Sequence, residues 1–224
     1  MIGVEWGDCC DPMKMLKYAA RNVSERKLRL IAVECCRQIE HLLDQRCVGA
    51  LDVAERFADG RASPADLAAA RSAAYDVYYE CDDSEGRESA ADAVESACAS
   101  EDLEEYVHHA MWVVLNLAGI GMPRPLMKAK RRLVKLAFVQ LLRDVIGDPF
   151  RPVIVEPSWL KWENGTVVKM AQHIYDYRQF SLLPVLSDAL EEAGCCEEQI
   201  IKHCRLEARH VRGCWVLDVL LGYH

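Results

Sequence analysis

Apolar residues recur at intervals of three and four positions along most of this chain, and this spacing predicts amphipathic α-helices. The clearest example begins after Ser24, where an apolar stripe runs from Leu28 to Leu42. Charged residues such as Arg26 and Glu40 occupy the other faces. The pattern predicts one amphipathic helix of about twenty residues.

Proline and glycine divide the chain into further helices joined by short loops. Asp11-Pro12 and Ser63-Pro64 each place a capping residue before a proline, as at helix N-termini, and Gly60 ends the helix between them. Short loops place neighbouring helices antiparallel to each other. The sequence therefore predicts an all-α fold built as a helical bundle.

Proline and tryptophan interrupt the helical pattern in the second half of the chain. The segment 147–165 holds three prolines and two tryptophans, so we interpret it as an extended linker. It separates a predicted N-terminal helical bundle at 1–146 from a compact C-terminal helical module at 166–224, which we expect to pack on the bundle. The helices of that module are predicted at 166–177, 181–193, 197–205 and 214–221.

The net charge of −8 comes from one segment. Between Glu80 and Glu105, eleven acids accompany the single base Arg87, which gives this segment −10 and leaves +2 for the rest. Its alanines favour a helix, but it has few large apolar residues, so we expect 80–105 to be a solvated helix or a mobile arm. The nearly neutral remainder gives no overall field that would attract nucleic acid or an anionic membrane.

A basic cluster begins the long helix predicted at 126–146. Its five members are Lys128, Lys130, Arg131, Arg132 and Lys135. Five bases on two turns are usual for a solvated helix face, and the acidic segment could pair with them. We therefore do not expect nucleic acid to be the partner.

Two features of the sequence bear on where the protein works. No run of about 18 apolar residues occurs, and residues 1–11 lack the basic-then-apolar order of a signal peptide. Eleven cysteines without an export signal predict reduced thiols. We expect a cytoplasmic protein that does not bind a membrane.

The residues with the most chemical potential lie near the C-terminus. Four cysteines and two histidines fall within twenty residues there: Cys195, Cys196, His203, Cys204, His210 and Cys214. Zinc takes four tetrahedral ligands from such groups, and the predicted set is Cys195, Cys204, His210 and Cys214. The spacing does not form two short knuckles, so we favour cysteines packed in an apolar core, with the zinc set as the alternative. A third is a nucleophilic thiol activated by His203 or His210, although no orienting residue or oxyanion loop can be named.

Basic residues surround His210 and precede a tryptophan. A basic group beside an aromatic residue can hold a phosphate or form the centre of a protein interface. The predicted binding patch consists of Arg205, Arg209, Arg212 and Trp215.

Several short segments resemble one family of bacterial proteins. They are Asp148-Pro149-Phe150-Arg151-Pro152-Val153, the run from Ser187 to Cys195, His203-Cys204-Arg205, and the run from His210 to Trp215. Together with Asp11-Pro12 and Cys35-Cys36-Arg37, they are similar to an uncharacterised family expanded in planctomycetes. The chain departs from that family at Leu206-Glu207-Ala208-Arg209, where the family has a turn with glycine and proline. The resemblance implies no activity, ligand or functional residue.

The motifs that mark common enzymes are absent from the sequence. It has no glycine-rich phosphate loop, no paired-carboxylate motif and no nucleophile elbow. The sequence therefore predicts a non-enzymatic interaction or accessory module with a protein partner and no cofactor. The alternative is a zinc-binding helical module with a regulatory or nucleic-acid-binding role.

Overall fold

The computed structural model describes residues 3–81 and 86–223, and those residues form α-helices and no β-strand. The predicted all-α fold is confirmed. The helices are α1 (Gly3–Asp8), α2 (Pro12–Ala19), α3 (Glu25–Cys36), α4 (Gln45–Ala58), α5 (Pro64–Glu80), α6 (Arg87–Ala97), α7 (Leu103–Leu117), α8 (Arg124–Ile146), α9 (Pro157–Lys161), α10 (Thr166–Tyr177), α11 (Leu183–Glu192), α12 (Glu198–Cys204) and α13 (Trp215–Leu221).

The chain divides into two compact units. The large unit is Asp8–Leu142, and the C-terminal unit combines Met1–Gly7 with Arg143–His224. This division differs from the predicted boundaries at 1–146, 147–165 and 166–224. The N-terminal residues belong with the C-terminal unit because the buried indole N–H of Trp6 donates to the carbonyl of Gly147 at 2.9 Å.

The predicted linker is part of the C-terminal unit. It contains the short helix α9, and Trp159 on that helix is buried in the apolar core with Val167 and Leu186. A large aromatic side chain removes more apolar surface from water than any other residue type, which explains why this proline-rich segment is held in place. The predicted four helices are confirmed as α10 to α13.

Helix α3 is the most buried helix of the large unit. All nine residues from Leu28 to Cys36 are buried, including the charged Arg29 and Glu34, and the helix packs against α4, α6 and α7. A helix that is buried on all sides belongs to the centre of a core. The predicted amphipathic helix of about twenty residues is therefore wrong in its length, since α3 ends at Cys36 and a 3₁₀ turn follows at Arg37–Leu42.

Most of the acidic segment packs into the large unit. Helix α6 buries Ala90, Ala91, Ala93 and Val94 against α5, α7 and α3. Alanine faces let helices approach closely, so few large apolar residues are needed. The expectation of a solvated helix or mobile arm is wrong for α6, while residues 82–85 of that segment lie outside the described residues.

No helix among the described residues is both long enough and apolar enough to cross a membrane.

Candidate metal centre

Four metal-ligating side chains meet in the C-terminal unit. Asp144, His203, His210 and Cys214 each offer one ligand atom, and these four atoms lie within 4.8 Å of one another. Asp144 and Cys214 are buried, and both histidines are mostly shielded from solvent. The cluster has the donor types and the compactness of a small metal site.

The local structure explains how residues far apart in sequence reach one point. Asp144 lies in the last turn of α8, and His203 lies in the last turn of α12. The loop after α12 carries His210 and ends at Cys214, the residue that precedes α13. The carboxylate of Asp144 also accepts a hydrogen bond from the backbone N–H of Val211, at 2.9 Å, and so fixes this loop beside the end of α8.

The carboxylate of Asp144 is the hub of the cluster. One of its oxygens, Oδ1, lies 2.6 Å from His210 Nδ1 and 3.1 Å from His203 Nε2. The sulfur of Cys214 lies 3.1 Å from the same His203 nitrogen. Without a metal, the four groups therefore form one connected hydrogen-bond network.

The partners of each imidazole determine where its protons are. The indole N–H of Trp215 donates to His203 Nδ1 at 3.0 Å, so Nδ1 is unprotonated and Nε2 carries the hydrogen. His210 faces acceptors with both nitrogens, the carboxylate of Asp144 and the carbonyl of Leu206 at 3.4 Å. Two acceptors favour the doubly protonated, cationic form of His210.

The same contacts shift the ionisation of the cluster. Burial alone would raise the pKa of Asp144, but hydrogen bonds from His203 and His210 outweigh it and lower that pKa. Burial alone would lower the pKa of His210, but the hydrogen bond and charge of Asp144 raise it. Burial, together with the nearby charge of Asp144, raises the pKa of the Cys214 thiol well above its usual value. Without a metal, these shifts favour the carboxylate form of Asp144, the cationic form of His210 and the neutral thiol of Cys214.

The structure brings together two of the four residues in the predicted zinc set. His210 and Cys214 are in the cluster, but Cys195 and Cys204 are buried in the apolar core of the unit. Burial raises the pKa of Cys204 to about 12, which suits a packed neutral thiol. Cys204 lies one helical turn after the fully buried Ile200, on the face of α12 that points into the core.

Sequence reasoning missed Asp144 and gave His203 no place in the zinc set. His203 precedes Cys204 by one residue, which turns it by about 100° around α12 and away from the core face. That helical phase could have favoured His203 over Cys204. Asp144 is 66 residues from His210, and no motif links them, so only the packing brings them together.

The structure exposes only two of the four residues in the predicted binding patch. Arg212 and Trp215 are buried, with 7% and 9% of their surface exposed. Arg212 donates to the carbonyl of Tyr175 at 3.3 Å and stacks over its ring, while Arg205 is on the surface, paired with Asp188 at 2.8 Å. Arg209 is exposed. The guanidinium of Arg212 is used inside the unit because it satisfies a helix-end carbonyl there.

No family model, curated protein or solved structure matches this chain. The resemblance to the planctomycete family therefore stays a prediction.

Proposed function

We propose that this chain is a non-enzymatic module whose C-terminal unit binds one zinc ion as a structural element. The observation that carries the proposal is the convergence of Asp144, His203, His210 and Cys214 within 4.8 Å. All four tetrahedral positions would be filled by protein groups, and a closed set of this kind is typical of structural rather than catalytic zinc.

The charges of the four groups suit a divalent cation. Zinc binding would remove one proton from the Cys214 thiol and one from the cationic form of His210, and it would shift the hydrogen of neutral His203 from Nε2 to Nδ1, because metal ligands must present a free lone pair. The carboxylate and thiolate would then balance the two positive charges of zinc between two neutral imidazoles. Tetrahedral zinc ligands lie about 3.3–3.8 Å apart, so the pairs now at 2.6 and 3.1 Å would move apart slightly.

A nucleophilic role for Cys214 has less support. Its sulfur is at hydrogen-bond distance from His203 Nε2, as a Cys–His pair requires. That nitrogen already carries the imidazole hydrogen because Trp215 donates to the other one, so it cannot accept the thiol proton. Cys214 is also completely buried, out of reach of a substrate. These features support a non-enzymatic module.

The state of the thiols supports a reducing compartment. All eleven cysteines are thiols rather than disulfides in the structure, and seven of them are buried. Free buried thiols are usual for proteins of the cytoplasm, where disulfides are rare. We therefore place the protein in the cytoplasm as part of the proposal.

The test is the metal content of tag-free, thiol-reduced protein, measured by elemental mass spectrometry. We expect one zinc per chain, and we expect Cys214→Ala to lose it. Cys204→Ala is the matched control, since it removes an equally buried thiol that lies outside the cluster. Absence of stoichiometric zinc, or full zinc retention by folded Cys214→Ala, would overturn the proposal. Circular dichroism of each variant shows whether the chain is still folded.

A further inference from the structure

The first turns of α8 expose most of their side chains. Between Arg124 and Leu133, only Met127 and Arg131 are partly covered, and the first buried residue is Val134. After Val134 the helix buries residues such as Phe138 and Leu142. The N-terminal part of α8 therefore offers a helical surface of about three turns to solvent.

An apolar stripe lies along this surface. It consists of Leu126, Ala129, Leu133 and Leu136, and the three leucines are 59%, 64% and 40% exposed. Single exposed leucines are ordinary, but four apolar residues spaced by three, four and three positions form a continuous strip. This is the a/d spacing of a coiled-coil seam.

Exposed cations flank the stripe on both sides. Lys130 is about 40° from Leu126 around the helix, and Arg132 and Lys128 lie beyond Leu136 on the other side. Lys135 already forms an ion pair with Asp11, at 3.6 Å. Arg131 already donates a hydrogen bond to the carbonyl of Asn116, at 2.8 Å. The ion pairs found among residues 3–81 and 86–223 include none of Lys128, Lys130 and Arg132.

No described residue of the acidic segment forms an ion pair with these three cations. Two of its described acids pair elsewhere in the large unit, Glu95 with Arg71 at 2.5 Å and Asp92 with His109 at 2.7 Å. The expected pairing between the acidic segment and the basic cluster is therefore not seen in the described part of the chain. Among the residues that the structure describes, Lys128, Lys130 and Arg132 therefore meet no acid.

We infer that this face of α8 is a docking surface for an amphipathic helix of a partner protein that carries acidic residues beside its apolar stripe. In the heptad notation abcdefg, Leu126 and Leu133 occupy the positions labelled a. Lys130 occupies position e, and Arg132 occupies position g. Those e and g positions face the partner's flanking residues, so glutamate or aspartate there would form charge pairs across the seam.

A second copy of this chain fits the surface poorly. In a parallel pair of α8 helices, Lys130 would face Pro125 of the other copy and Arg132 would face Ala137. In an antiparallel pair, Lys130 and Arg132 would each face their own equivalent. Neither arrangement gives these cations an acidic partner, which disfavours self-pairing.

An anionic bilayer also fits less well than a helix. Interfacial helices bury a wide apolar face, whereas the stripe from Leu126 to Leu136 covers only about 80° of the helix circumference. Such a narrow stripe matches the seam between two helices. This inference uses only the large unit and does not depend on the metal centre.

The test uses the full chain and three synthetic helical peptides of three heptads. The first peptide has leucine at heptad positions a and d and glutamate at positions e and g. The second has lysine in place of those glutamates. The third has the same composition as the first, but its leucines are moved so that they no longer form a stripe. Binding is measured by calorimetry at two salt concentrations. We expect only the glutamate peptide to bind, and to bind more weakly at high salt.

Two double variants test the specificity. Leu126→Ser with Leu133→Ser should weaken binding at least about tenfold, because the seam is left without two of its apolar side chains. Lys130→Glu with Arg132→Glu should reject the glutamate peptide and accept the lysine peptide. Leu206→Ser, at an equally exposed leucine of the C-terminal unit, is the control and should leave binding unchanged.

Three outcomes would overturn the inference. They are failure of the glutamate peptide to bind, equal binding of the glutamate and lysine peptides, and failure of the charge-reversed variant to switch preference. Binding to phosphatidylserine vesicles or to duplex DNA with no binding to the peptide would likewise show that the surface serves another class of partner. Circular dichroism of each variant shows that the surface change leaves the fold intact.

Discussion

The indole N–H of Trp215 donates a hydrogen bond to Nδ1 of His203, at 3.0 Å. This bond holds the imidazole in the tautomer whose hydrogen is on Nε2, the nitrogen that faces Asp144 and Cys214. A zinc ion at Nε2 would move that hydrogen to Nδ1, where it would face the indole N–H. Trp215 therefore stabilises the metal-free state relative to the metal-bound state.

Replacing Trp215 by Phe should raise zinc affinity. Phe keeps most of the apolar contact and removes a hydrogen bond worth about 1 kcal/mol, so we expect about fivefold tighter binding in a chelator competition assay. Trp6→Phe is the control, since its indole donates to the Gly147 carbonyl and not to an imidazole. Imidazole ¹⁵N shifts showing the Nδ1–H tautomer of His203 in metal-free protein would contradict this argument.

Asp144→Asn should destabilise the C-terminal unit even without metal. The carboxylate accepts from the backbone of Val211 and is paired with His210, and asparagine would turn one of these acceptors into a donor. We expect a loss of about 2–4 kcal/mol in the free energy of unfolding, measured by urea titration of metal-free protein. Asp188→Asn breaks only an exposed pair with Arg205 and should change the midpoint little.

Gly147→Ala should disturb the same region through packing. Gly147 has a φ of +74°, and an added Cβ would lie 3.0 Å from the Trp215 indole. Gly194, with a φ of +90°, has no atom within 4 Å of an added Cβ, so Gly194→Ala measures the backbone strain alone. We expect Gly147→Ala to cost about 1–2 kcal/mol more than Gly194→Ala in thermal or urea unfolding. Equal costs would show that the indole moves aside without a penalty.

Thiol labelling should divide the cysteines into groups by exposure. Cys10 and Cys196 are exposed, Cys9 and Cys81 are partly covered, and the other seven are buried. Thiolates are the reactive form, and burial raises the pKa of thiols such as Cys36 and Cys204. We expect two thiols of native protein to react fast with an aromatic disulfide reagent at pH 8 and seven to react only after unfolding. Rapid labelling of Cys204, located by peptide mass spectrometry, would contradict the described core.

Arg29→Met should destabilise the large unit strongly. The guanidinium of Arg29 is buried and donates to the carbonyls of Ala97 and Ala99, at 3.1 and 2.7 Å. Met has a similar length but no donor, so both buried carbonyls would lose a partner, at a cost of about 2–4 kcal/mol. Arg21→Met, at an exposed site, is the control and should leave the unfolding midpoint nearly unchanged.

The helices of the C-terminal unit were predictable because local chemistry marks their ends. Gly165 and Gly194 take positive φ values at the start of α10 and after α11, where only glycine is free of strain. The predicted bounds at 166–177 match α10 at both ends. Short-range signals of this kind are present in the sequence itself.

The candidate site was only half predictable because long-range packing determines it. Cys214 and His210 stood out by residue type, but Asp144 belongs to α8, and no local pattern links that helix to the end of α12 where His203 lies. Arg212 and Trp215 were included in the predicted binding patch because they stand near other bases in the sequence. Their burial depends on carbonyl and ring partners supplied by other helices.

The position of Arg29 bears on how the large unit opens and closes. Its side chain donates to the carbonyl of Ala97, the last residue of α6, and to the carbonyl of Ala99 just beyond that helix, from 68 and 70 residues earlier in the chain. Because the end of α6 depends partly on this distant donor, α6 and α3 should exchange their backbone amide hydrogens as one cooperative group. The most acidic part of the chain is thereby tied to the most buried helix of its unit.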